Sequence, residues 1–363
     1  MSLERQSEIF AYKFLKKDFS QDQSRLDESL DHLLELSLRL SSPLLRELKP
    51  SIAFNIKWKF DYLAKTGESP FLLRHDLDYW TNILRMLDDL STHNWFTKGE
   101  DSKNIDIWNR TKDAFNFMWP QNTIGDNYEV SKKMASLRLE QIIDMIDGAE
   151  QFIENSIIVD SGCGPGRYVD VLNRYNPKRI IGVDSGKDII AANRKRFSIN
   201  QNIEMIQSSC DNLPLDNNYA DFVISAGVIH HLPNPIEELI TEHARIVKKN
   251  GYLFIFIAGT GGLELSIWKF MRQFLYDVTV DELFNRFNKK ISSLRLQGLL
   301  DHSYGEYQQT ERHDLERWLT KHFSDVKRVT GIKGLDVTEE LYANDIYFPY
   351  RFGSGNLRYL CRK

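Results

Sequence analysis

The chain is poor in several things, and each shortage narrows what it can be. It has three cysteines in 363 residues, Cys163, Cys210 and Cys361. They are too far apart for a zinc cluster and too few for a disulfide framework, which excludes the small cross-linked secreted folds and fits a reducing compartment. No run of about 18 apolar residues occurs, the length that a membrane-crossing helix needs. The opening residues Met1-Ser2-Leu3-Glu4-Arg5 are charged and lack the apolar core of an export signal, so the expected location is cytoplasmic. Neither sign of charge dominates, with 47 Lys and Arg against 51 Asp and Glu. A dedicated nucleic-acid binder carries a basic surface, so nucleic acid is not the expected partner. Repeats, the i, i+4 histidine pair of a helical zinc site and the G-x-S-x-G elbow of serine hydrolases are also missing. No metal is expected.

What is present divides in two. Residues 1–110 read as a mainly helical domain with no legible role. Leu26, Leu30, Leu33, Leu34 and Leu38 recur at helical spacing, as do Trp80, Ile83, Leu84, Leu87 and Leu90. Between them Ile52, Phe54, Ile56, Trp58, Phe60 and Tyr62 alternate as in a strand, yet Pro50-Ser51 and Gly67 are helix start and stop signals; the type of that segment stays open. Lys98–Asn104 is a polar stretch that reads as a linker. From about residue 155 strands (156–160, 179–184, 203–208, 220–227, 251–258) alternate with helices (165–175, 187–197, 235–249). This rhythm predicts an α/β fold, a mostly parallel sheet flanked by helices. An aromatic, helical insert at 263–305 interrupts it. A helix over 308–322 and strands near 326–329 and 356–361 close the chain, giving a second domain over 111–363.

The densest chemistry is the turn after the first strand, Asp160-Ser161-Gly162-Cys163-Gly164-Pro165-Gly166. Glycines at alternate positions let a backbone pass close to a ligand, because no Cβ blocks the approach. A phosphate-binding P-loop is excluded, since no Lys-Ser or Lys-Thr follows. A dinucleotide turn requires a third glycine at position 167, which is Arg.

The spacing D-x-G-x-G-x-G resembles motif I of the class I S-adenosylmethionine-dependent methyltransferases, and three further features follow in that family's order. Ile180-Ile181-Gly182-Val183-Asp184 ends a strand in an acid. Cys210-Asp211-Asn212-Leu213-Pro214 follows the third strand. Ser225-Ala226-Gly227-Val228-Ile229-His230-His231-Leu232 follows the fourth, with "HHLPNP" close to the family's "HHLxDP". The resemblance covers about residues 125–363 and implies S-adenosyl-L-methionine as cofactor on a Rossmann-like seven-stranded sheet. It implies that Gly162, Cys163, Gly164 and Gly166 line the donor, that Asp160 orients its amine and that Asp184, with Ser185 beside it, holds the ribose. It further implies adenine contacts from Asp211 and Asn212, with Ser225 and Ala226 near the sulfonium. Arg138 or Arg167 is a candidate partner of the carboxylate.

The sulfonium is already activated, so the enzyme's task is in-line positioning and, for a hydroxyl or amine acceptor, proton removal. His231, or else His230, is the candidate base. Thr111, Phe115 and Trp119 resemble a T-x-x-x-F-x-x-x-W stretch of bacterial small-molecule methyltransferases. Phe115, Trp119, Tyr128, Trp268 and Tyr304 are candidate acceptor contacts, although each could equally pack a core. The expected activity is methyl transfer to oxygen or nitrogen of a small secondary metabolite, sugar or quinone-like compound. An RNA or protein methyltransferase and a non-catalytic cofactor-binding scaffold are the alternatives. Base N-methylation is disfavoured, because the fourth strand lacks an N-P-P-Y or D-P-P-Y sequence.

Overall fold

A computed structural model describes residues 20–41, 43–90, 97–98, 107–121, 126–329 and 347–363. They divide into two compact units. All but Lys98 of the expected linker lies outside the described residues.

The first unit is helical. It contains α1 (Ser20–Arg39), α2 (Pro43–Thr66) and α3 (Leu73–Leu90). The alternating segment at 52–62 belongs to α2 and is helical throughout. A period of two is also a period of four, so the segment carries two i, i+4 stripes. Ile52, Ile56 and Phe60 form the buried one, while Trp58 and Tyr62 stack on the exposed one. Two later helices, α10 (Leu263–Phe274) and α14 (Phe348–Phe352), are part of the same unit. The ammonium of buried Lys49 donates to Asp277 at 2.9 Å and lies 4.6 Å from the centre of the Tyr276 ring. Burial pulls this lysine's pKa down, and the bond to Asp277 opposes the shift.

The second unit is built on one sheet. Its strands are β1 (Ile157–Ser161), β2 (Arg179–Asp184), β3 (Ile203–Gln207), β4 (Ala220–Ala226), β5 (Val247–Ala258), β6 (Asp325–Arg328) and β7 (Asn356–Arg362). Their order is β3-β2-β1-β4-β5-β7-β6. The first five run parallel, and β7 is antiparallel to both β5 and β6. Successive residues point to opposite faces, so Ile158, Phe222 and Phe254 enter one apolar cluster while Val159, Val223 and Leu253 enter the other. Burial on both faces explains the unbroken apolar run of β5. The unit's helices include α4 (Ile107–Gln121), α5 (Asp126–Asp144), α6 (Ala149–Glu154), α7 (Arg167–Asn173), α8 (Lys187–Arg196) and α9 (Ile236–Ile246). Order reverses at β1, where β2 lies to one side and β4 to the other, the position at which open α/β sheets form a crevice.

The insert is divided between the two units. Residues 261–279, including α10, belong to the helical unit, whereas α11 (Val280–Phe287) and α12 (Ser293–Tyr304) belong to the sheet unit, as does α13 (Arg312–Thr320). The reason is the broad apolar face of α10: Leu263, Ile267, Trp268, Phe270, Met271 and Phe274 are all inside, and they are packed by α1, α2 and α14, while Lys269 and Gln273 are exposed. Among the described residues no helix is long and apolar enough to cross a membrane.

Phe254 is fully buried at mid-sheet. Phe254→Ala should lower unfolding stability by about 3–5 kcal/mol, read as an earlier urea midpoint at unchanged slope.

Candidate active site

The crevice at the end of β1 opens into a cavity of about 490 Å³, lined entirely by the sheet unit. One wall is the glycine turn. Gly162, Gly164 and Gly166 all have positive φ, the region that favours glycine. At Gly162 a Cβ would lie 2.4 Å from both methyl carbons of Val228, so the turn and the loop after β4 meet there without room for a side chain. The amides of Gly162 and Cys163 both donate to the carbonyl of Val183, and the Gly164 amide donates to Asp184 Oδ2 at 2.9 Å. Asp184 Oδ1 accepts from the Gly186 amide, also at 2.9 Å. Burial pushes the Asp184 carboxyl pKa up, and these amides hold it down.

Asp160 sits behind the turn, 1% exposed, and its Oδ2 has no hydrogen-bond partner among the described residues. Burial raises its pKa to about 7, with the Arg167 charge lowering it and Asp184 raising it. A buried carboxylate oxygen with no donor is a place for a cationic group. Arg167 opens α7 and lines the cavity with its guanidinium 5.4 Å from the centre of the Trp119 ring, while that of Arg138 lies 5.5 Å from the Phe256 ring. Both arginines therefore belong to the cavity wall.

Among the residues expected from sequence, Gly162, Gly164, Asp184, Ser185, Asp211, Ala226, His231, Phe115 and Trp119 line the cavity. Asp160, Cys163, Gly166 and Ser225 support it from behind. Ser225 is fully buried, with no partner for its hydroxyl among the described residues. Asn212 points to solvent. Three of the aromatic candidates are elsewhere. Tyr128 donates to Asp170 beneath the guanidinium of Arg196, and Trp268 is a buried residue of the helical unit. The ring of buried Tyr304 is covered by Arg110. Each is occupied in packing, the alternative use of an aromatic residue.

The two histidines divide. His230 is buried and accepts the Ala258 amide on Nδ1, and burial drives its pKa well below the usual imidazole range. His231 lines the cavity, and its Nδ1 lies 2.7 Å from the Glu306 carbonyl. A carbonyl only accepts, so Nδ1 carries the proton and the neutral ring keeps its lone pair on Nε2. The ring is held edge-on to Phe115, 4.8 Å between centres, and packs against Tyr307 at 4.4 Å.

Sequence reasoning missed the residues that complete this wall. On α4, Trp108, Lys112 and Asn116 share the face of Phe115 and Trp119, and Gln297 and Asp301 come from α12. Thr111 ties α4 to the chain after α12: its hydroxyl donates to the Tyr304 carbonyl and accepts from the Glu306 amide. Gln308 latches the same segment to the carbonyls of Leu232 and Asn234. The helical spacing of 108, 112, 115, 116 and 119 was a usable signal. The backbone partners had none.

Comparison with known proteins agrees with this geometry. Residues 159–255 match the family described as "Methyltransferase domain". Over those residues the chain is similar to that methyltransferase family. The cofactor it indicates is S-adenosylmethionine, and the residues present fit that group through the unpartnered Asp160 oxygen and the open space beside Gly164, where a Cβ would meet nothing within 4 Å. The chain is 32% identical over 112 residues to an uncharacterized methyltransferase-like protein of Schizosaccharomyces pombe, covering 31% of this chain and 42% of that one. It is 27% identical to malonyl-[acyl-carrier protein] O-methyltransferase of a Marinomonas species, covering 39% and 50%. It is 31% identical to tRNA (carboxymethyluridine(34)-5-O)-methyltransferase of Arabidopsis thaliana, covering 29% and 25%. The chain thus spans half or less of the length of these curated relatives.

Gly162→Ala introduces both the clash with Val228 and an unfavourable positive φ. It should weaken S-adenosylmethionine binding by more than about tenfold in calorimetry while the far-ultraviolet circular dichroism stays native. Adding Val228→Ala should restore part of the affinity.

Proposed function

We propose that the chain transfers the methyl group of S-adenosylmethionine to a small-molecule acceptor, on oxygen or nitrogen, with His231 as general base. The carrying observation is the wall opposite the donor residues: His231, Phe115, Trp119 and Trp108 beside Gln297 and Asp301. Aromatic faces with a few polar groups suit a compact ring-bearing compound. When bound, the cofactor supplies an electrophilic methyl. The chain's own residues then have distinct tasks. Asp184 accepts from the ribose hydroxyls, and Asp211 accepts from the adenine amine. Asp160 takes the donor's ammonium and Arg167 or Arg138 its carboxylate. Nε2 of His231 takes the acceptor's proton, and the Glu306 carbonyl keeps Nδ1 protonated so that the resulting imidazolium retains its bond.

A second reading, an RNA acceptor, is favoured by the relative named for tRNA modification. The two named relatives differ in acceptor, so the choice rests on the cavity. The deciding experiment measures S-adenosylhomocysteine release with a panel of ring-bearing hydroxy and amino compounds and, separately, with bulk tRNA. Turnover confined to tRNA, with salt-sensitive binding, overturns the small-molecule reading. Absence of S-adenosylmethionine binding overturns both and leaves no methyltransferase.

His231→Ala should lower turnover by about 10²–10⁴-fold with donor affinity preserved; unchanged turnover would remove the base. The pH dependence follows from Asp160. Its carboxyl titrates near 7 in the ligand-free protein, and only the ionised form pairs with an ammonium. Donor affinity should therefore fall by up to about tenfold for each pH unit below about 7, with proton release on binding. Asp160→Asn should flatten that profile in titrations run in buffers of different ionisation enthalpy.

A further inference from the structure

Beneath the cavity lies a polar chain that the reaction as described does not use. Ser161, the last residue of β1, and His243, in the middle of α9, are both fully buried. Their side chains meet at 2.9 Å between Oγ and Nε2. His243 Nδ1 lies 2.7 Å from the Leu239 carbonyl and must donate to it, so Nε2 accepts and the Ser161 hydroxyl donates. The Ser161 oxygen also sits beside the thiol of Cys210, which lines the cavity next to Asp211. The neighbours of His243 on α9 grip the same segment. Glu242 accepts from the Leu213 amide at 2.7 Å, and Arg245 donates to the carbonyls of Leu213 and Leu215 at 3.0 and 2.7 Å. Most of the residues packed around the pair on this side of the sheet are apolar. An imidazole and a hydroxyl are costly there unless paired, and an aliphatic pair would fill the space with no desolvation penalty.

We propose that His243 is a positioning residue of the cofactor site: through Ser161 it fixes where β1 enters the glycine turn, and with Glu242 and Arg245 it holds the Cys210–Leu215 segment against that turn. The adenine side and the methionine side of the cavity are thereby set by one helix. The inference rests on the cavity being the S-adenosylmethionine site.

The test titrates S-adenosylhomocysteine into the full chain and records melting temperature in parallel. Ser161→Ala and His243→Leu should each weaken binding by about tenfold, roughly the worth of one hydrogen bond, and each should lower the melting temperature. The double variant leaves no unpaired polar group, so its melting temperature should return towards the wild type while the affinity loss remains. His243→Gln, whose amide oxygen can accept from Ser161, should bind within about threefold of wild type. A double variant that binds as tightly as wild type, or a His243→Gln no better than His243→Leu, overturns the proposal. Should His243→Leu fail to fold, Ser161→Ala and the double variant carry the comparison. A wild-type chain that does not bind at all refutes the cofactor reading, and the proposal with it.

Discussion

The site depends on one half-buried carboxylate. Asp184 ends β2 and accepts from two backbone amides, Gly164 in the turn after β1 and Gly186 before α8. The tips of two parallel strands, already joined by the Gly162 and Cys163 amides on the Val183 carbonyl, are further tied by this side chain. Burial works against its ionisation, and the amides work for it. A carboxylate has about four acceptor sites, so two amides leave capacity for further donors. The group that builds the turn thus keeps acceptor capacity on the cavity side, which is what the proposed ribose contact needs. The close approach of Gly162 to Val228 adds the third strand tip, from β4, to the same junction.

Much of this was legible because it is local. The acid at each strand end and the glycine spacing are properties of a few consecutive residues, and strand alternation placed them at one edge of the sheet. The positions of β1 to β5 along the chain followed from the same rhythm, with boundaries shifted by a residue or a few. Two kinds of feature were not legible. The first is burial partnership. Trp268 and Tyr304 carry the same chemistry as Phe115 and Trp119, and only the packed chain distinguishes a ring facing a cavity from a ring facing other helices. The second is non-local backbone. The carbonyl of Glu306 decides the tautomer of His231 from 75 positions away, and any residue type supplies a carbonyl.

The helical insert illustrates a related limit. Composition marks 263–305 as one aromatic, leucine-rich stretch, yet α10 buries its broad apolar face among the helices of the first unit, whereas α11 and α12 belong with the sheet. Gly261 and Gly262, both at positive φ, mark where the chain leaves β5, and at Gly262 a Cβ would lie 2.4 Å from the Gly353 nitrogen. This glycine pair therefore allows two segments of backbone to touch, a use of glycine that sequence alone cannot separate from ligand approach.

The cavity's two walls come from different constraints, and this bears on how acceptor choice could change. The donor wall is made of strand ends and turns whose geometry follows from the sheet, and the chain can alter it little without losing the register of β1, β2 and β4. The acceptor wall comes from α4, α12 and the segment 304–308, fastened to each other by Thr111 and to the loop after β4 by Gln308. Those fastenings use side chains on one partner and backbone on the other. Asp301 also belongs to the fastening, since its carboxylate accepts from the Tyr307 hydroxyl at 3.0 Å, whereas Lys112 and Gln297 line the same wall outside it. Substitution there changes the chemistry presented to an acceptor while leaving the donor residues and the orientation of His231 intact. A fixed donor wall and an exchangeable acceptor wall are what a chemistry with an already activated methyl requires, since nearly all the discrimination left to the protein lies in which nucleophile it admits.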